Sequence, residues 1–141
     1  MDTIPVTAAG GVLYKMNGQD PEVLLIFRRG IWDLPKGKLE VEESIRECAR
    51  REVSEEVGSA LPEILHKLGT TYHEYEEQGE NFGKTTHWYA MQLGSEFGGD
   101  FTPEQEEDIT EVAWFPLEEA KETVGFENLR MVLIKLEQWL Q

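Results

Sequence analysis

One cysteine, Cys48, occurs in 141 residues, so no internal disulfide can form and the chain reads as one made for a reducing, cytoplasmic compartment. Long hydrophobic runs are also missing. The longest, Val23-Leu24-Leu25-Ile26-Phe27, falls far short of the roughly 20 apolar residues of a membrane helix, and Met1-Asp2-Thr3-Ile4-Pro5 does not open a secretion signal. Basic residues are scarce: 13 Lys and Arg stand against 28 Asp and Glu, a formal net charge of −15. So acidic a surface excludes nonspecific contact with nucleic acid or anionic membrane. It leaves room for a phosphate-bearing small molecule wherever the field is reversed locally. Disorder is excluded in turn, because 40% of the residues are hydrophobic and four are Trp. No repeat, low-complexity tract or linker divides the sequence, and its length suits a single domain over residues 1–141.

What is present reads as interleaved strands and helices. Val6 to Met16 is β-prone, and Gly10-Gly11 within it predicts a bulge or a close backbone approach. Asn17-Gly18 begins a turn, Val23 to Phe27 has strand length, and Trp32 to Leu39 is a Gly- and Pro-punctuated connector. A helix begins at Glu42 or Glu43 and closes at Gly58. Glu63 to Tyr75 and Thr85 to Leu93 read as strands around an acidic loop, 76–84. In the second, His87, Tyr89, Met91 and Leu93 share one face, and Trp88, Ala90 and Gln92 the other. A long loop from Gly94 to Asp108 is a candidate for substrate contact. A last strand over Val112 to Phe115, a short helix over Leu117 to Thr123 and a final helix over Glu127 to Leu140 follow. Leu129, Leu133, Leu136 and Leu140 form a stripe read as core, with a dimer seam as the other reading. The order predicts an α/β fold whose mixed sheet has helices on both faces.

The first long helix holds the chemistry. At about 100° per residue, Ile45, Cys48 and Ala49 fall within about 60° of Glu52, and the same stripe continues into Glu52, Glu55 and Glu56. Carboxylates with about 5–6 Å between β-carbons, partly buried, repel by roughly 3 kcal/mol per pair at an effective dielectric near 20. They also occupy the last turn, where the helix dipole disfavours anions. Solvated helix acids would need no explanation; an apolar stripe that turns acidic does. A hard divalent cation such as magnesium or manganese supplies one, since it takes carboxylate oxygens. Just upstream, Arg28, Arg29, Lys36 and Lys38 are four of the 13 basic residues. Beside a carboxylate-held metal, such groups suit a polyphosphate chain. Lys38 reads equally as a solvated hairpin charge.

Gly37, Glu43 and the block Arg51-Glu52-Val53-Ser54-Glu55-Glu56-Val57-Gly58 match the signature of the Nudix hydrolases at every charged and glycine position. The chain is therefore identified as resembling that family. Ser59 departs from it, standing where the family usually has a bulky apolar residue. Trp32-Asp33-Leu34-Pro35-Lys36-Gly37, Lys84-Thr85-Thr86-His87-Trp88-Tyr89-Ala90 and Trp114-Phe115-Pro116-Leu117-Glu118-Glu119-Ala120 resemble segments of the branch acting on diadenosine polyphosphates.

The resemblance implies an α/β/α sandwich that hydrolyses a nucleoside diphosphate linked to another moiety, using Mg2+ or, as a substitute, Mn2+. Diadenosine polyphosphates are the first expectation; ADP-ribose or another nucleotide sugar is the alternative, and a non-catalytic nucleotide-binding domain of the same fold is the alternative of a different class. Carried over, Glu52, Glu55 and Glu56 are implied as metal ligands and catalytic acids, with Glu52 also a candidate base and the Gly37 backbone close to metal or phosphate. Glu43 and Arg51 are implied as supports, and a base or ligand outside this box would fall on Glu107 or Asp108. Arg28, Lys36 and Lys38 would face the phosphates. The expected partner is a small nucleotide, with neither nucleic acid nor membrane, for a monomer or homodimer. Gly79-Glu80-Asn81-Phe82-Gly83-Lys84-Thr85 imitates a P-loop but has one residue too few between its glycines and precedes a strand.

Overall fold

The computed structural model describes residues 2–97 and 99–141. Seven strands, β1 (Ile4–Asn17), β2 (Asp20–Arg28), β3 (Ile31–Asp33), β4 (Lys36–Lys38), β5 (Glu63–Glu77), β6 (Glu80–Gln92) and β7 (Ile109–Pro116), form one sheet. The described residues also form three α-helices, α1 (Ile45–Val57), α2 (Leu117–Thr123) and α3 (Glu127–Leu140). The main strand order is β3-β2-β1-β6-β5, with β4 also on β1 and β7 also on β2. β1 runs parallel to β6 from Ile4 to Leu13 and antiparallel to β2 and β4, so the sheet is mixed as expected.

Period-two alternation sorts the strand residues into two cores. Ala9, Leu13, Leu24, Ile26, Tyr89 and Met91 pack with Cys48, Ala49, Val53 and Val57 of α1. Val12, Tyr14, Val23, Leu25, Trp88 and Ala90 pack with Leu117 and Ala120 of α2 and with Leu129, Val132, Leu133 and Leu136 of α3. Helices therefore cover both faces, and the leucine stripe of α3 is core. Trp114 and Trp139 pack half-buried against the two cores. Gly10 makes the close approach its sequence suggested: a Cβ there would lie 2.2 Å from the Pro35 carbonyl oxygen, and Gly11 N–H donates to that same oxygen.

The expected connector over Trp32 to Leu39 carries the short strands β3 and β4, which pair with β2 and β1, and three boundaries also differ from the sequence expectation. α1 starts at Ile45, because Ser44 caps it: the Ser44 hydroxyl accepts from Glu47 N–H while the Glu47 carboxylate accepts from Ser44 N–H. Glu42 lies outside the helix at φ 66. The acidic segment 76–84 is not a loop but the tip of a β5–β6 hairpin, turned at Gln78 (φ 53) and Gly79 (φ 80). That two-residue turn carries positive φ at both positions, and the pairing persists because Tyr75 stacks on its cross-strand partner Phe82 at 5.3 Å. The P-loop look-alike consequently lies in the hairpin and opens no helix. β7 begins at Ile109, earlier than expected, after a 3-10 turn over Gln105–Glu107. No helix among the described residues is long and apolar enough to cross a membrane.

Candidate active site

β4 and the last two turns of α1 lie against each other, and their contact depends on a glycine. A Cβ on Gly37 would sit 2.0–2.3 Å from the carboxylate atoms of Glu52, so only glycine lets the β4 backbone meet that acid. The three box carboxylates have different surroundings. Glu56 is 2% exposed, Glu52 is half-buried, and the side chain of Glu55 is 48% exposed. Arg51 stands among the outer ones. Its guanidinium is bidentate to Glu43, and its Nη1 donates to Glu52 at 3.0 Å and Glu55 at 3.2 Å. Arg51 Nη2 also donates to the Lys38 carbonyl at 3.2 Å. The support implied for Glu43 and Arg51 is thus a tie between α1 and the preceding loop. The Arg51 hydrogen bond holds the Glu43 carboxyl below the usual carboxylate range.

Glu56 faces the other way, toward Arg28. Its Oε2 accepts from Arg28 Nη2 at 2.5 Å and its Oε1 from Lys36 N–H at 3.1 Å. Burial nevertheless raises its pKa to about 7, with Arg28 and Lys36 opposing the rise. Burial also raises Glu52, opposed by Arg51 and reinforced by Glu55 and Glu104. The Cys48 thiol, buried and donating to the Gly37 carbonyl at 3.5 Å, is pushed up to about 12 and is inert as a nucleophile.

The loop before β7 crosses the C-terminal end of α1, pinned by Thr102 N–H to the Val57 carbonyl (2.9 Å) and Glu104 N–H to the Glu56 carbonyl (3.3 Å). Glu104 is therefore the acid of that loop tied to the box, and burial followed by Glu107, Glu55 and Glu106 raises its carboxyl. Asp108 is turned away in a left-handed conformation (φ 61) and accepts from Arg29 Nε at 2.8 Å on the surface. Glu107 is exposed in the 3-10 turn.

On the α3 side of Arg28 lies a cavity of about 370 Å³. Arg28, Lys36 and Asp33 border it toward the box, and Lys84, His73 and Thr86 of the hairpin line its far wall. Lys38 is exposed and outside it. The sequence reading did not single out Lys84 or Glu104. Lys84 enters through the β5–β6 register, and Glu104 through a loop whose spacing alone does not say which acid turns inward. Trp32 packs between Phe27 and Phe115, and Trp88 is buried with its indole N–H on the Thr71 hydroxyl.

The donor set fits a hard divalent cation: Glu52, Glu55 and Glu56 offer carboxylate oxygens within two turns of one helix, and the Gly37 backbone lies directly against the Glu52 carboxylate. Among the described residues no three His, Cys, Asp or Glu side chains are arranged around a common point; the acids here are neutralised by Arg51 and Arg28 instead.

Residues 5–135 match the NUDIX domain. The chain is 34% identical over 138 residues to the Mycobacterium tuberculosis protein MutT4, a mutator protein by name, covering 92% of this chain and 54% of that one. It is 30% identical over 139 residues to the 8-oxo-(d)GTP phosphatase of Mycolicibacterium smegmatis, covering 91% and 40%. It thus spans about half or less of the length of these relatives. The C. elegans Ap4A hydrolase has the same fold, with a TM-score of 0.70 at 22% identity over 98% of this chain and 100% of that one. The complete box on α1 and the match over most of the sequence lead to one conclusion: this chain belongs to the Nudix family of hydrolases.

Proposed function

We propose that this Nudix hydrolase cleaves a phosphoanhydride in a nucleoside diphosphate linked to another moiety, with diadenosine polyphosphates as its substrates. The family frame is coarser: hydrolysis of the nucleotide pyrophosphatase type, on small nucleotides and generally with divalent metal ions. The observation that carries the finer reading is the junction at Arg28, where box carboxylates adjoin a cavity lined by Arg28, Lys36 and Lys84. Magnesium, or manganese in its place, held by Glu52, Glu55 and Glu56 beside the Gly37 backbone, would neutralise phosphate oxygens and acidify a water.

The chain's own residues supply positioning and proton transfer. Glu52 takes the proton of the attacking water on its carboxylate, and the burial that raises its proton affinity makes it the stronger base. As the water oxygen bonds to phosphorus, the anhydride P–O bond breaks and its electrons leave on the departing phosphate. Arg28 and Lys36 hold that charge. We assign the acid outside the box to Glu104 in preference to Glu107 or Asp108, because its backbone is tied to Glu56. Lys38 serves through its carbonyl, which anchors Arg51.

The test is incubation with magnesium and diadenosine tetraphosphate, ADP-ribose or 8-oxo-dGTP, with products separated by chromatography. ATP plus AMP from the tetraphosphate is the expected result. Hydrolysis of 8-oxo-dGTP alone would favour a second reading, an oxidised-nucleotide phosphatase, which the 30% identity to the M. smegmatis enzyme supports. Cleavage of ADP-ribose alone would overturn the substrate assignment and keep the carboxylate mechanism. Metal binding with no turnover of any of the three would favour a nucleotide-binding domain. Glu55→Gln should lose most activity at saturating magnesium with its circular dichroism unchanged.

A further inference from the structure

With Glu104 as the acid outside the box, we propose that Phe101 is its positioning residue: the Phe101 ring, seated against Trp114 of β7, holds the strap 101–104 across the end of α1 and keeps Glu104 beside the box. The proposal rests on the hydrolytic reading of that site. The strap lies directly on the helix. Thr102 N–H donates to the Val57 carbonyl at 2.9 Å and Glu104 N–H to the Glu56 carbonyl at 3.3 Å. Both carbonyls belong to the last turn of α1, where helical geometry leaves them without partners inside the helix. Pro103, between the two donors, has no N–H to leave unsatisfied. Gly58 permits the contact, since a Cβ there would lie 2.4 Å from the Thr102 carbonyl oxygen.

Two backbone bonds do not by themselves hold such a segment. Their net contribution is modest because water competes for the same groups, and each residue fixed in a loop costs conformational entropy. Repulsion adds to the task. Burial, then Glu107 and Glu55, raise the Glu104 carboxyl, and Glu104 in turn raises Glu52. These acids therefore feel one another, and a free loop would carry Glu104 out into water. Something other than charge must keep it in place.

Phe101 supplies that hold. Its ring meets Trp114 edge to face, with centroids 6.0 Å apart at 68°, and Phe97 lies 5.3 Å from it. Phe101 also packs, half-buried, against the α1-side core that contains Val53 and Val57. Trp114 is a fixed point for it: the residue pairs with Leu24 inside the sheet, and Lys15 Nζ sits 4.4 Å over its ring. The strap is thus tied to β7 by a side chain and to α1 by its backbone. Glu104, extended at φ −81 and ψ 96, follows three residues after the ring, so the two ties leave its carboxylate little freedom. Beside the ring a cavity of about 320 Å³, lined by Phe97, Phe101 and Trp114, leaves room for a slightly larger aromatic side chain.

The experiment is a double-mutant cycle on the whole chain, paired with amide hydrogen exchange read by nuclear magnetic resonance without metal. Turnover is followed in magnesium on diadenosine tetraphosphate, or on ADP-ribose or 8-oxo-dGTP where the wild type cleaves only that one. Phe101→Ala should lower kcat by about 10- to 100-fold with little change in KM, the scale of a displaced reacting group. Phe101→Tyr keeps the ring and should restore most of it. Glu104→Gln should lower kcat at least as much, and adding Phe101→Ala to it should cost less than about twofold more, because the acid being positioned is already gone. Exchange at the Thr102 and Glu104 amides should quicken more than about tenfold in Phe101→Ala, while the Val53 amide within α1 keeps its rate. Equal losses of kcat in the two backgrounds, wild-type kcat in either single variant, or unchanged exchange in the strap would overturn the proposal. Because exchange needs no turnover, an inactive wild type whose strap loosens in Phe101→Ala would uphold Phe101 as the anchor and refute only the catalytic reading.

Discussion

On one face of the sheet, α1 packs through Cys48, Ala49, Val53 and Val57 and then presents Glu52, Glu55 and Glu56, each acid held by an arginine. On the other face, α2 and α3 close an aliphatic and aromatic core and leave a cavity whose lining carries four Lys and Arg residues with one acid. The two faces present different side chains yet are joined, since Arg28 is the counter-ion of Glu56 and also a wall of the cavity. A net charge of −15 therefore says little about the field at any one place. What matters is which side of Arg28 a group occupies: acids suited to a cation on the α1 side, bases suited to a phosphate chain on the other.

The sharpest way to break this comparison is to neutralise the α1 side alone. Glu52→Gln should lower kcat by about 10²- to 10⁴-fold, the scale of a lost general base, while tripolyphosphate binding in the cavity stays near wild type. Steady-state kinetics and calorimetry on the same preparation check both halves. Equal loss of the two would mean that the faces do not act separately.

Cutting the link comes next. Arg28→Met leaves Glu56 buried without its guanidinium, and removing one partner of a buried pair costs about 3 kcal/mol at pH 8. The cost should be markedly smaller at pH 5.5. Burial raises the Glu56 pKa from 4.5 to about 7, so below that value the folded chain holds Glu56 neutral and needs no counter-ion. By the same linkage, Glu56 favours the native state most at low pH. Its contribution declines as pH rises from about 4.5 to about 7 and is level above that, a swing on the order of 3 kcal/mol. Urea unfolding from pH 5 to 8, without metal, should show this decline in the wild type, and Glu56→Gln should flatten it. An unchanged slope would mean that the acid is ionised throughout.

The α1 side was legible in the sequence, and of the cavity side only Arg28, Arg29 and Lys36 were, for a physical reason. Helical period alone puts Glu52, Glu55 and Glu56 in line with Cys48 and Ala49, so local spacing carries that half of the site. Strand period likewise sorted Tyr89 and Met91 from Trp88 and Ala90. The cavity instead needs β6 beside β1 and His73 opposite Lys84, pairings between segments far apart in the chain. The hairpin tip was hidden by its charge: Glu76, Glu77 and Glu80 resemble a solvated loop, while Tyr75 and Phe82 hold the pairing. Among the acids of 104–108, position in sequence favoured Glu107 and Asp108. Backbone hydrogen bonds over the end of α1 bring Glu104 to the box instead, and Asp108 is taken by Arg29.

Gly37 sharpens the comparison at the point where β4 meets Glu52. In Gly37→Ala the new methyl would fall 2.0–2.3 Å from the carboxylate, so Glu52 must swing out or β4 must shift, at about 1–3 kcal/mol. Manganese binding followed by electron paramagnetic resonance should weaken. The cavity, bordered by Lys36 but not by Gly37, should still take tripolyphosphate. Manganese affinity equal to wild type would show that the carboxylate does not need the glycine gap.

The smallest expected effect asks how far the box depends on the start of its own helix. Ser44→Ala removes the hydroxyl that accepts from Glu47 N–H, a cap worth about 1 kcal/mol. The box lies two to three turns further on, and its place against β4 is set by Arg51, which reaches Glu43 and the Lys38 carbonyl from within the helix. Stability should therefore fall by that amount in urea titrations while kcat and manganese affinity remain near wild type. A parallel fall in activity would mean that fraying at Ser44 travels along α1 to Glu52. Arg51 would then be insufficient to hold the acidic side, and the contrast between the two faces would rest on the whole helix instead of its last turns.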